Sequence, residues 1–365
     1  MLKIKWLLVL FCCAILVSNA TIAQACTGVK TQATDGAVAF ARTLEFGTPL
    51  KSDILFVPRG QDWVSPAPDG NDGMTWQNKY AFLGPNAFGE KMFVDGINEK
   101  ELYLGGFWFP GIASFPKATD NDAANIIAPQ AFGAFILGTC ATLDEVRKAI
   151  SKIQLVGVTF KKMGMILPMH WIIMDKTGKS IVVEPINGKI VVADNPVNVF
   201  TNSPPFAWHL QNLSNYANLT SRNSAPTTIR DYNVAPIGQG SGMVGLPGDF
   251  TPPSRFVRMA LLSNSVESIA TADEAVNQAF LLINNISIVK GVAVDIKPDD
   301  SVSADYTQWT AVYDLKRHRC YFRTYDNQDI RMVQLDKLPL ESDQILTIPM
   351  WNSKPEYKDI TKQAK

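Results

Sequence analysis

The sequence predicts an α+β fold in which two layered sheets carry helices on their outer faces. Three observations support this prediction. Strand-like and helix-like segments come in blocks, in the order strands, helices, strands, helices, strands, which differs from a strict βαβ alternation. Hairpin signals recur along the chain. Neither an internal repeat nor a linker divides the sequence, so its 365 residues fit one large domain.

The first 25 residues have the organisation of a secretory signal peptide. Lys3 and Lys5 precede an apolar run over residues 6–17, and the small-residue pattern Ala23-Gln24-Ala25 follows. Cleavage after Ala25 leaves a single mature domain over 26–365. No later apolar run has membrane-spanning length. We therefore expect a periplasmic or secreted protein whose mature form has no membrane segment.

Cleavage at this site would make Cys26 the N-terminal residue, with a thiol and a free α-amine on one Cα. A thiol with an adjacent amine base is a minimal nucleophilic unit. A cysteine at this place is also typical of a lipid anchor, which would cap the sulfur. Ala23 stands where lipoprotein signals usually have Leu, and Gln24 is bulky for such a site. A lipid-anchored binding protein stays open as the alternative from another class.

The first two strands are expected on either side of Asp35-Gly36, a signal for a two-residue hairpin loop. With that loop, paired positions in strands 26–31 and 37–42 sum to 71. Cys26 then faces Glu45, whose carboxylate comes within reach of the new α-amine. Arg42 falls on the other face of the sheet from Cys26, so a bulge or strong twist would be needed to bring it in.

The remaining elements follow from periodicity and turn residues. Residues 61–78, rich in Pro, Gly, Asp and Asn, are expected as a surface loop, 95–100 as a turn, and 238–253 as an ordered loop. Thr142 followed by Glu145 predicts the capping box of a helix. The other predicted helices are 126–139 and 273–284. The other predicted strands are 52–57, 80–83, 92–94, 102–109, 170–175, 180–184, 189–193, 307–314 and 319–324.

Composition excludes several classes of function. The 34 basic and 34 acidic residues balance, and without a basic stripe we expect no nucleic-acid partner. His170, His209 and His318 are scattered without HExxH or CxxC spacing, which predicts no metal site and no cofactor, although a Cys–His pair of the papain type stays open. Mature Cys140 and Cys320 could form a disulfide, but their apolar surroundings favour buried free thiols.

Six motifs lie in order behind the exposable cysteine. They are Cys26-Thr27-Gly28, Arg42-Thr43-Leu44-Glu45, Asp95-Gly96-Ile97-Asn98-Glu99-Lys100, Phe109-Pro110-Gly111, Thr201-Asn202-Ser203-Pro204, and Gly245-Leu246-Pro247-Gly248-Asp249-Phe250-Thr251-Pro252 with Ser254-Arg255-Phe256 after it. Each is weakly specific alone, but the ordered set is specific. On these motifs the chain resembles the choloylglycine hydrolases, which include bile salt hydrolases and penicillin V acylases and belong to the N-terminal nucleophile hydrolases.

This resemblance implies a four-layer αββα fold, hydrolysis of linear amide bonds and a homotetramer acting on a small acyl-amide substrate. It implies Cys26 as nucleophile with its own amine as base, Arg42 and Arg255 as active-site arginines, and Asn202 as an oxyanion-hole donor. Glu45 stands where the family often has Asp to hold the α-amine.

Amide hydrolysis by a thiol nucleophile requires these residue types for chemical reasons that do not depend on the resemblance. An α-amine and a thiol have reference pKa values of about 8 and about 8.5, so they can share a proton near neutral pH. Nearby guanidinium groups favour the thiolate. A carboxylate at Glu45 positions the amine but also raises its pKa. An Asn amide donates without titrating, and one oxyanion donor typically lowers a barrier by about 2.7–4 kcal/mol.

Trp108 decides the substrate that we expect. It stands just before Phe109-Pro110. At the position of Trp108, bile salt hydrolases typically have Asn and penicillin V acylases an aromatic residue. An indole there makes the substrate pocket more apolar, although it could equally just pack a strand. The sequence thus predicts a penicillin V acylase-like amidohydrolase for aromatic or fatty acyl amides, with N-acyl homoserine lactones among the candidates. The alternative within the class is a conjugated bile salt hydrolase.

Overall fold

The computed structural model describes residues 25–119, 123–296, 299–351 and 354–363. The predicted signal peptide therefore lies, except for Ala25, outside the described residues. The strands are β1 (Thr27–Gln32), β2 (Val38–Phe46), β3 (Ile54–Val57), β4 (Asp62–Pro66), β5 (Asp72–Gln77), β6 (Phe82–Pro85), β7 (Asp95–Asn98), β8 (Tyr103–Trp108), β9 (Ile126–Ile127), β10 (Gln154–Leu155), β11 (Thr159–Phe160), β12 (Met165–Ile166), β13 (Met169–Met174), β14 (Ser180–Ile186), β15 (Lys189–Asp194), β16 (Val199–Thr201), β17 (Thr227–Ile229), β18 (Tyr232–Val234), β19 (Ala293–Ile296), β20 (Val302–Asp314), β21 (Arg319–Thr324), β22 (Asn327–Gln334) and β23 (Leu346–Ile348). The α-helices are α1 (Pro129–Thr139), α2 (Leu143–Ile150), α3 (Phe206–Asn212), α4 (Pro252–Ser265) and α5 (Ala272–Asn284).

Most strands belong to two antiparallel sheets. The first has the order β16-β1-β2-β20-β21-β22, with β19 also paired to β20, and the second has the order β15-β14-β13-β8-β7-β6-β3-β23. Helices α4 and α5 pack on the first sheet, and α1 packs on the second. The predicted α+β class and the αββα layering are confirmed.

Aromatic rings join the two sheets at the centre of the molecule. Phe40 of β2 lies with its ring centroid 4.5 Å from that of Tyr103 in β8, and Tyr103 lies 5.0 Å from Tyr313 of β20. On the outer faces, Phe132 of α1 contacts Trp171, and the Thr31 hydroxyl donates to the Ala275 carbonyl of α5. The side chains thus alternate between an inter-sheet core and a sheet–helix core, as strand geometry requires.

The first hairpin differs from its prediction by one residue. Ala33 and Ala37 still pair, so the loop has three residues, and Gly36 at its end has φ +83°. A third loop residue in the left-handed region is a common hairpin solution that needs glycine. Paired positions therefore sum to 70: Gly28 faces Arg42, and Thr27 faces Thr43. The predicted pairing of Cys26 with Glu45 is wrong.

Several other boundaries also differ from expectation. The predicted loop over 61–78 contains the hairpin β4–β5, whose strands stack Trp63 on Trp76 at 5.9 Å. Asp95–Asn98 is a central strand instead of a turn, while 92–94 forms only an isolated bridge through Phe93. The predicted helix over 126–139 begins at Pro129, after the short strand β9. Backbone pairing in a large sheet overrides the local turn propensity of Asp, Gly and Asn.

The most consequential element absent from the prediction is α4. It begins at Pro252 directly after Thr251, a helix start with Pro in the first turn. By contrast, α2 with its Thr142 cap, α5 and the hairpins β13–β14 and β20–β21 lie where predicted. Cys140 and Cys320 are buried free thiols, as expected. Among the described helices, none is long and apolar enough to span a membrane.

Candidate active site

Cys26 immediately precedes β1, which lies between the edge strand β16 and β2 in the first sheet. It is 4% exposed and immediately precedes Thr27, which pairs with Thr43 on one side and Thr201 on the other. Burial raises the pKa of the Cys26 thiol, and the Glu45 carboxylate raises it further, whereas Arg42 and Arg255 lower it. The thiol is therefore placed among charges of both signs, which strand β2 and helix α4 hold in place.

Arg42 approaches Cys26 from the inter-sheet side. It faces Gly28, so the two-residue alternation of β1 puts it on the same face as Cys26 without the bulge that we expected. Its Nη1 donates to the carbonyl oxygens of Val94 at 3.2 Å and Gly106 at 3.1 Å. Burial lowers the pKa of Arg42, but the nearby Cys26 and Asp95 more than offset this, so the guanidinium stays charged.

Arg255 approaches from the opposite, helix-covered side. Helix α4 carries it over the end of β1, where Nη1 donates to the Cys26 carbonyl oxygen at 2.7 Å, to the Thr27 hydroxyl, and to the Thr201 hydroxyl at 2.9 Å. Burial lowers the pKa of Arg255, opposed by Glu45. A guanidinium nevertheless stays protonated near neutral pH.

Asn202 is held from three directions. Its Oδ1 accepts from Arg255 Nη2 at 2.9 Å, its Nδ2 donates to the Trp108 carbonyl oxygen at 2.8 Å, and its own carbonyl oxygen contacts His209 Nε2 at 2.9 Å. Since the oxygen of the amide faces a guanidinium, the NH₂ group must face the other way. An amide nitrogen has two hydrogens, so Asn202 can donate a second bond while it keeps the one to Trp108.

Trp108 contributes both backbone and side chain. The Phe109 N–H donates to the Pro168 carbonyl in the ladder with β13. In an antiparallel ladder the N–H and C=O of one residue point to the same side of the strand, and those of the next residue point to the other side. Because the Phe109 N–H points toward Pro168, the N–H and C=O of Trp108 point the other way, toward Asn202. The indole is 6% exposed and packs edge-on against Phe46 at 5.9 Å.

Glu45 is fully buried near the two arginines. Its carboxylate accepts from the Thr43 hydroxyl at 3.0 Å and from the Thr307 hydroxyl at 2.5 Å. A register shift between Leu44 and Glu45 in the pairing with β20 brings it there. Burial raises the pKa of Glu45 to about 7, although Arg255 and the two hydroxyls oppose this. A cationic group placed nearby would therefore favour ionisation of this carboxyl.

A small apolar pocket of about 30 Å³ opens beside Cys26. Glu45 is the one acidic or basic side chain among its described lining residues. The lining residues are Cys26, Leu44, Glu45, Phe46, Leu50, Ala87, Phe88, Met92, Val94, Gly106, Trp108, Leu167 and Met169. Such a pocket suits a hydrophobic group next to the thiol.

The structure brings all six predicted site residues together. It adds others that the sequence reasoning missed: the hydroxyls of Thr27 and Thr201, which Arg255 binds, and Asp95, whose Oδ2 lies 4.0 Å from Arg42 Nε. Burial raises the pKa of Asp95 to about 7, and Arg42 opposes this. Thr27 and Thr201 stand in the recognised motifs, but only the sheet pairing and α4 bring them to the same guanidinium.

The histidines have different surroundings from a Cys–His pair. His209 contacts the Asn202 backbone, and burial lowers its pKa to about 4. His170 Nδ1 contacts the Glu184 carboxylate at 3.0 Å, between the rings of Phe109 and Phe200. Within the described residues, no group of three or more His, Cys, Asp or Glu side chains could hold a metal ion.

A family model for linear amide C–N hydrolases of the choloylglycine hydrolase family matches residues 26–348. The chain belongs to this family. Its matched region begins at Cys26 and spans both sheets. The choloylglycine hydrolase fold thus accounts for the αββα layering, and the chain is a hydrolase of linear amide bonds.

Three relatives illustrate where this choloylglycine hydrolase family member stands. It is 32% identical to a bile salt hydrolase/transferase of Clostridium perfringens, over 88% of this chain and 96% of that one. The crystal structure of a variant of conjugated bile acid hydrolase from the same organism has a TM-score of 0.80 at 30% identity, covering 92% of this chain and 99% of that one. A penicillin V acylase of Pectobacterium atrosepticum is 24% identical, over 82% of this chain and 77% of that one.

Proposed function

We propose that this protein hydrolyses N-acyl amides with Cys26 as the nucleophile, after cleavage that makes Cys26 N-terminal. The observation that carries the proposal is the position of the Cys26 thiol, which lines an apolar pocket near Arg42, Arg255 and Glu45. Asn202 is bound to the same Arg255. In the described chain, buried Ala25 still precedes Cys26, so the Cys26 nitrogen is an amide. Cleavage would convert that nitrogen into the base that the reaction needs.

The first half of the reaction forms an acyl-enzyme. The Cys26 amine takes the thiol proton, and the thiolate attacks the amide carbonyl of the substrate. The resulting oxyanion would be bound by the second Nδ2–H of Asn202 and the Trp108 N–H, which face the same side. The amine then returns its proton to the leaving nitrogen as the C–N bond breaks, leaving a thioester on Cys26.

The second half releases the acid. The free amine of Cys26 accepts a proton from water as the water oxygen attacks the thioester carbonyl, and the same two donors stabilise the second oxyanion. Collapse breaks the C–S bond and regenerates the thiol. Arg42 and Arg255 favour the thiolate in both halves. Glu45 would hold the α-ammonium, which in turn favours the Glu45 carboxylate.

Conjugated bile salts are the first candidate substrates. This choice replaces the expected preference for aromatic or fatty acyl amides, because a relative at 32% identity is a bile salt hydrolase/transferase, whereas the penicillin V acylase is 24% identical. An apolar pocket beside the thiol is suited to the hydrophobic part of such an amide. The leaving amine would then be glycine or taurine.

Penicillin V and N-acyl homoserine lactones are the second candidates. The observation in their favour is the aromatic wall of the pocket, where the Trp108 indole packs edge-on against Phe46. A flat phenoxyacetyl group or a flexible acyl chain can contact such a wall closely.

One activity panel tests both proposals. Mature protein is assayed with glycocholate, taurocholate, penicillin V and an N-acyl homoserine lactone, and amine release is measured for each. Hydrolysis that is lost in Cys26→Ala supports the proposed function, and the rank order of kcat/KM selects the substrate class. If none of the four substrates is hydrolysed in a Cys26-dependent way, the proposed function is wrong.

Export and assembly are parts of the same proposal. Intact mass after expression with residues 1–25 in a bacterium should equal that of 26–365, and an acyl-glyceryl adduct on Cys26 would support the lipid-anchored alternative instead. Fractionation then separates a periplasmic from a secreted protein. A homotetramer, proposed from family resemblance, is tested by light scattering.

A further inference from the structure

A second cleft lies next to the apolar pocket beside Cys26, which we call the acyl pocket. A short hairpin over residues 86–93 separates the two. The cleft has a volume of about 330 Å³, and Trp63, Val64 and Phe160 are among its lining residues. Met92 borders both the cleft and the pocket that contains Cys26. The two cavities are therefore separated only locally, by the hairpin and the rings that pack on it.

The Phe88 ring forms this partition. Phe88 lines the pocket of Cys26, where its centroid lies 6.1 Å from Phe46. On the other side it lies 5.6 Å from Phe160, which lines the second cleft. A continuous series of rings thus leads from the acyl pocket into the cleft.

The backbone at Phe88 is in an unfavourable conformation. Its φ is +59°, in the left-handed region where a bulky side chain is a genuine outlier. Such strain persists only where neighbours impose it, and it concentrates at ligand sites. Here the neighbours are the Leu50 carbonyl, which accepts from the Phe88 N–H at 2.7 Å, and Lys162, whose Nζ donates to the Phe88 carbonyl at 2.7 Å.

The restraint from Lys162 is weak. Lys162 also pairs with Glu90 at 2.8 Å, but the two side chains are 48% and 45% exposed. Exposed ion pairs contribute little to stability and are screened by salt. A strained residue held in part by an exposed lysine can move aside when a ligand pushes against its ring.

We propose that Phe88 is a movable partition and that the second cleft takes the distal end of a long, unbranched acyl chain whose carboxyl carbon is bound to Cys26. The inference rests on the proposed amidohydrolase function and adds long-chain acyl amides to its candidate substrates. A chain is favoured over a ring system because it is narrow enough to pass a displaced phenyl ring. The pocket of Cys26 is lined almost entirely by apolar groups, which match methylene groups. In the cleft, Trp63, Val64 and Phe160 continue that apolar surface, while its lining also contains the charged and amide side chains of Asp62, Glu90, Lys91 and Gln130.

The test is a chain-length series of N-acylglycines, from butanoyl to hexadecanoyl, with penicillin V as a short rigid control. Glycine release gives kcat/KM for mature wild type and for Phe88→Gly, which removes the ring and also relieves the left-handed strain. We expect the ratio of hexadecanoyl to butanoyl efficiency to rise about tenfold in this variant. Phe88→Ala, with the same ring deletion, should shift the ratio in the same direction.

A charge on the apolar wall of the cleft tests the destination of the chain. Val64 is 52% exposed on β4, so Val64→Arg should fold, and it should lower the hexadecanoyl efficiency about tenfold while the butanoyl efficiency is unchanged. Val191→Arg is the matched control, since Val191 is 42% exposed on β15, outside both cavities. Its chain-length profile should equal that of wild type.

Both results are required. An unchanged ratio in the Phe88 variants would overturn the partition, and so would equal chain-length profiles for Val64→Arg and Val191→Arg. The proposed function would still stand in either case if wild type hydrolyses any substrate in a Cys26-dependent way. Loss of all such hydrolysis in wild type would instead contradict the proposed function itself.

Discussion

The Arg255 guanidinium sets the direction of the Asn202 amide. Nη2 binds Asn202 Oδ1 at 2.9 Å, while Nη1 binds the carbonyl oxygen of Cys26 at 2.7 Å. One rigid planar group thus fixes both the residue proposed as nucleophile and the residue proposed as oxyanion donor. A lysine ammonium is a point charge and cannot keep this two-sided geometry.

Replacing Arg255 by Lys should therefore impair turnover beyond the loss of a hydrogen bond. We expect kcat to fall about 10²–10³-fold, the range for loss of an oxyanion donor, because the Asn202 amide oxygen loses the guanidinium that fixes its orientation. The measurement is kcat and KM together with the melting temperature. Arg258→Lys is the control: Arg258 lies one turn further along α4 and binds the carbonyls of Pro247 and Asp249. Equal effects of the two substitutions would contradict the role of Arg255.

Cys26→Ala should abolish turnover and leave the fold intact. The side chain is small and lies at a strand end, so its truncation removes little packing. Activity and the circular dichroism spectrum are the readouts. Cys140→Ala and Cys320→Ala, at the other two free thiols that the structure describes, should retain kcat. If Cys26→Ala keeps turnover near that of wild type, the nucleophile must be sought elsewhere.

Activity should also require cleavage before Cys26. A chain that retains residues 1–25 has an amide at Cys26 in place of the amine base, and Ala25 is buried against the site. Protein whose intact mass proves it uncleaved should be inactive with every substrate that the mature protein accepts. Full activity of that uncleaved protein would contradict the role of the free Cys26 amine as the base.

Trp108→Asn should change the choice of substrate. The substitution removes the indole wall that packs on Phe46, so acyl groups that depend on aromatic contact lose more than others. We expect the ratio of kcat/KM for penicillin V to that for glycocholate to fall by a factor that corresponds to about 1–3 kcal/mol. An unchanged ratio would show that Trp108 only packs its strand.

Stability should fall as pH rises through neutrality. Burial raises the pKa of Glu45 from its usual value of 4.5 to about 7, so the folded chain keeps a proton that the unfolded chain has already lost. The resulting stabilisation is complete below about pH 4.5 and is lost as pH passes 7, a change of up to about 3 kcal/mol. Urea unfolding between pH 5 and 8, on a chain that retains Ala25, should show a smaller decline for Glu45→Gln. Identical pH dependence in both proteins would contradict the buried carboxyl as its source.

The sequence predicted the site residues better than it predicted how they meet. Hairpin periodicity and the motifs identified Cys26, Arg42 and Asn202, but one extra loop residue at Gly36 changed the register and placed Arg42 on the side of Cys26. Asp95 was expected in a turn, because Asp-Gly-Ile-Asn has turn propensity, yet pairing with β8 makes it a buried strand residue. Such outcomes depend on contacts between distant segments, which local patterns do not encode.

The two arginines lie on opposite faces of the first sheet, and this separation has a consequence for protein engineering. Helix α4 supplies Arg255, whereas the 86–93 hairpin and strand ends supply the acyl pocket. No residue of α4 lines that pocket among those described. A mutant library confined to the hairpin should therefore change acyl preference while it leaves the residues that anchor Arg255 untouched. New substrate specificities can then be selected without loss of catalytic activity.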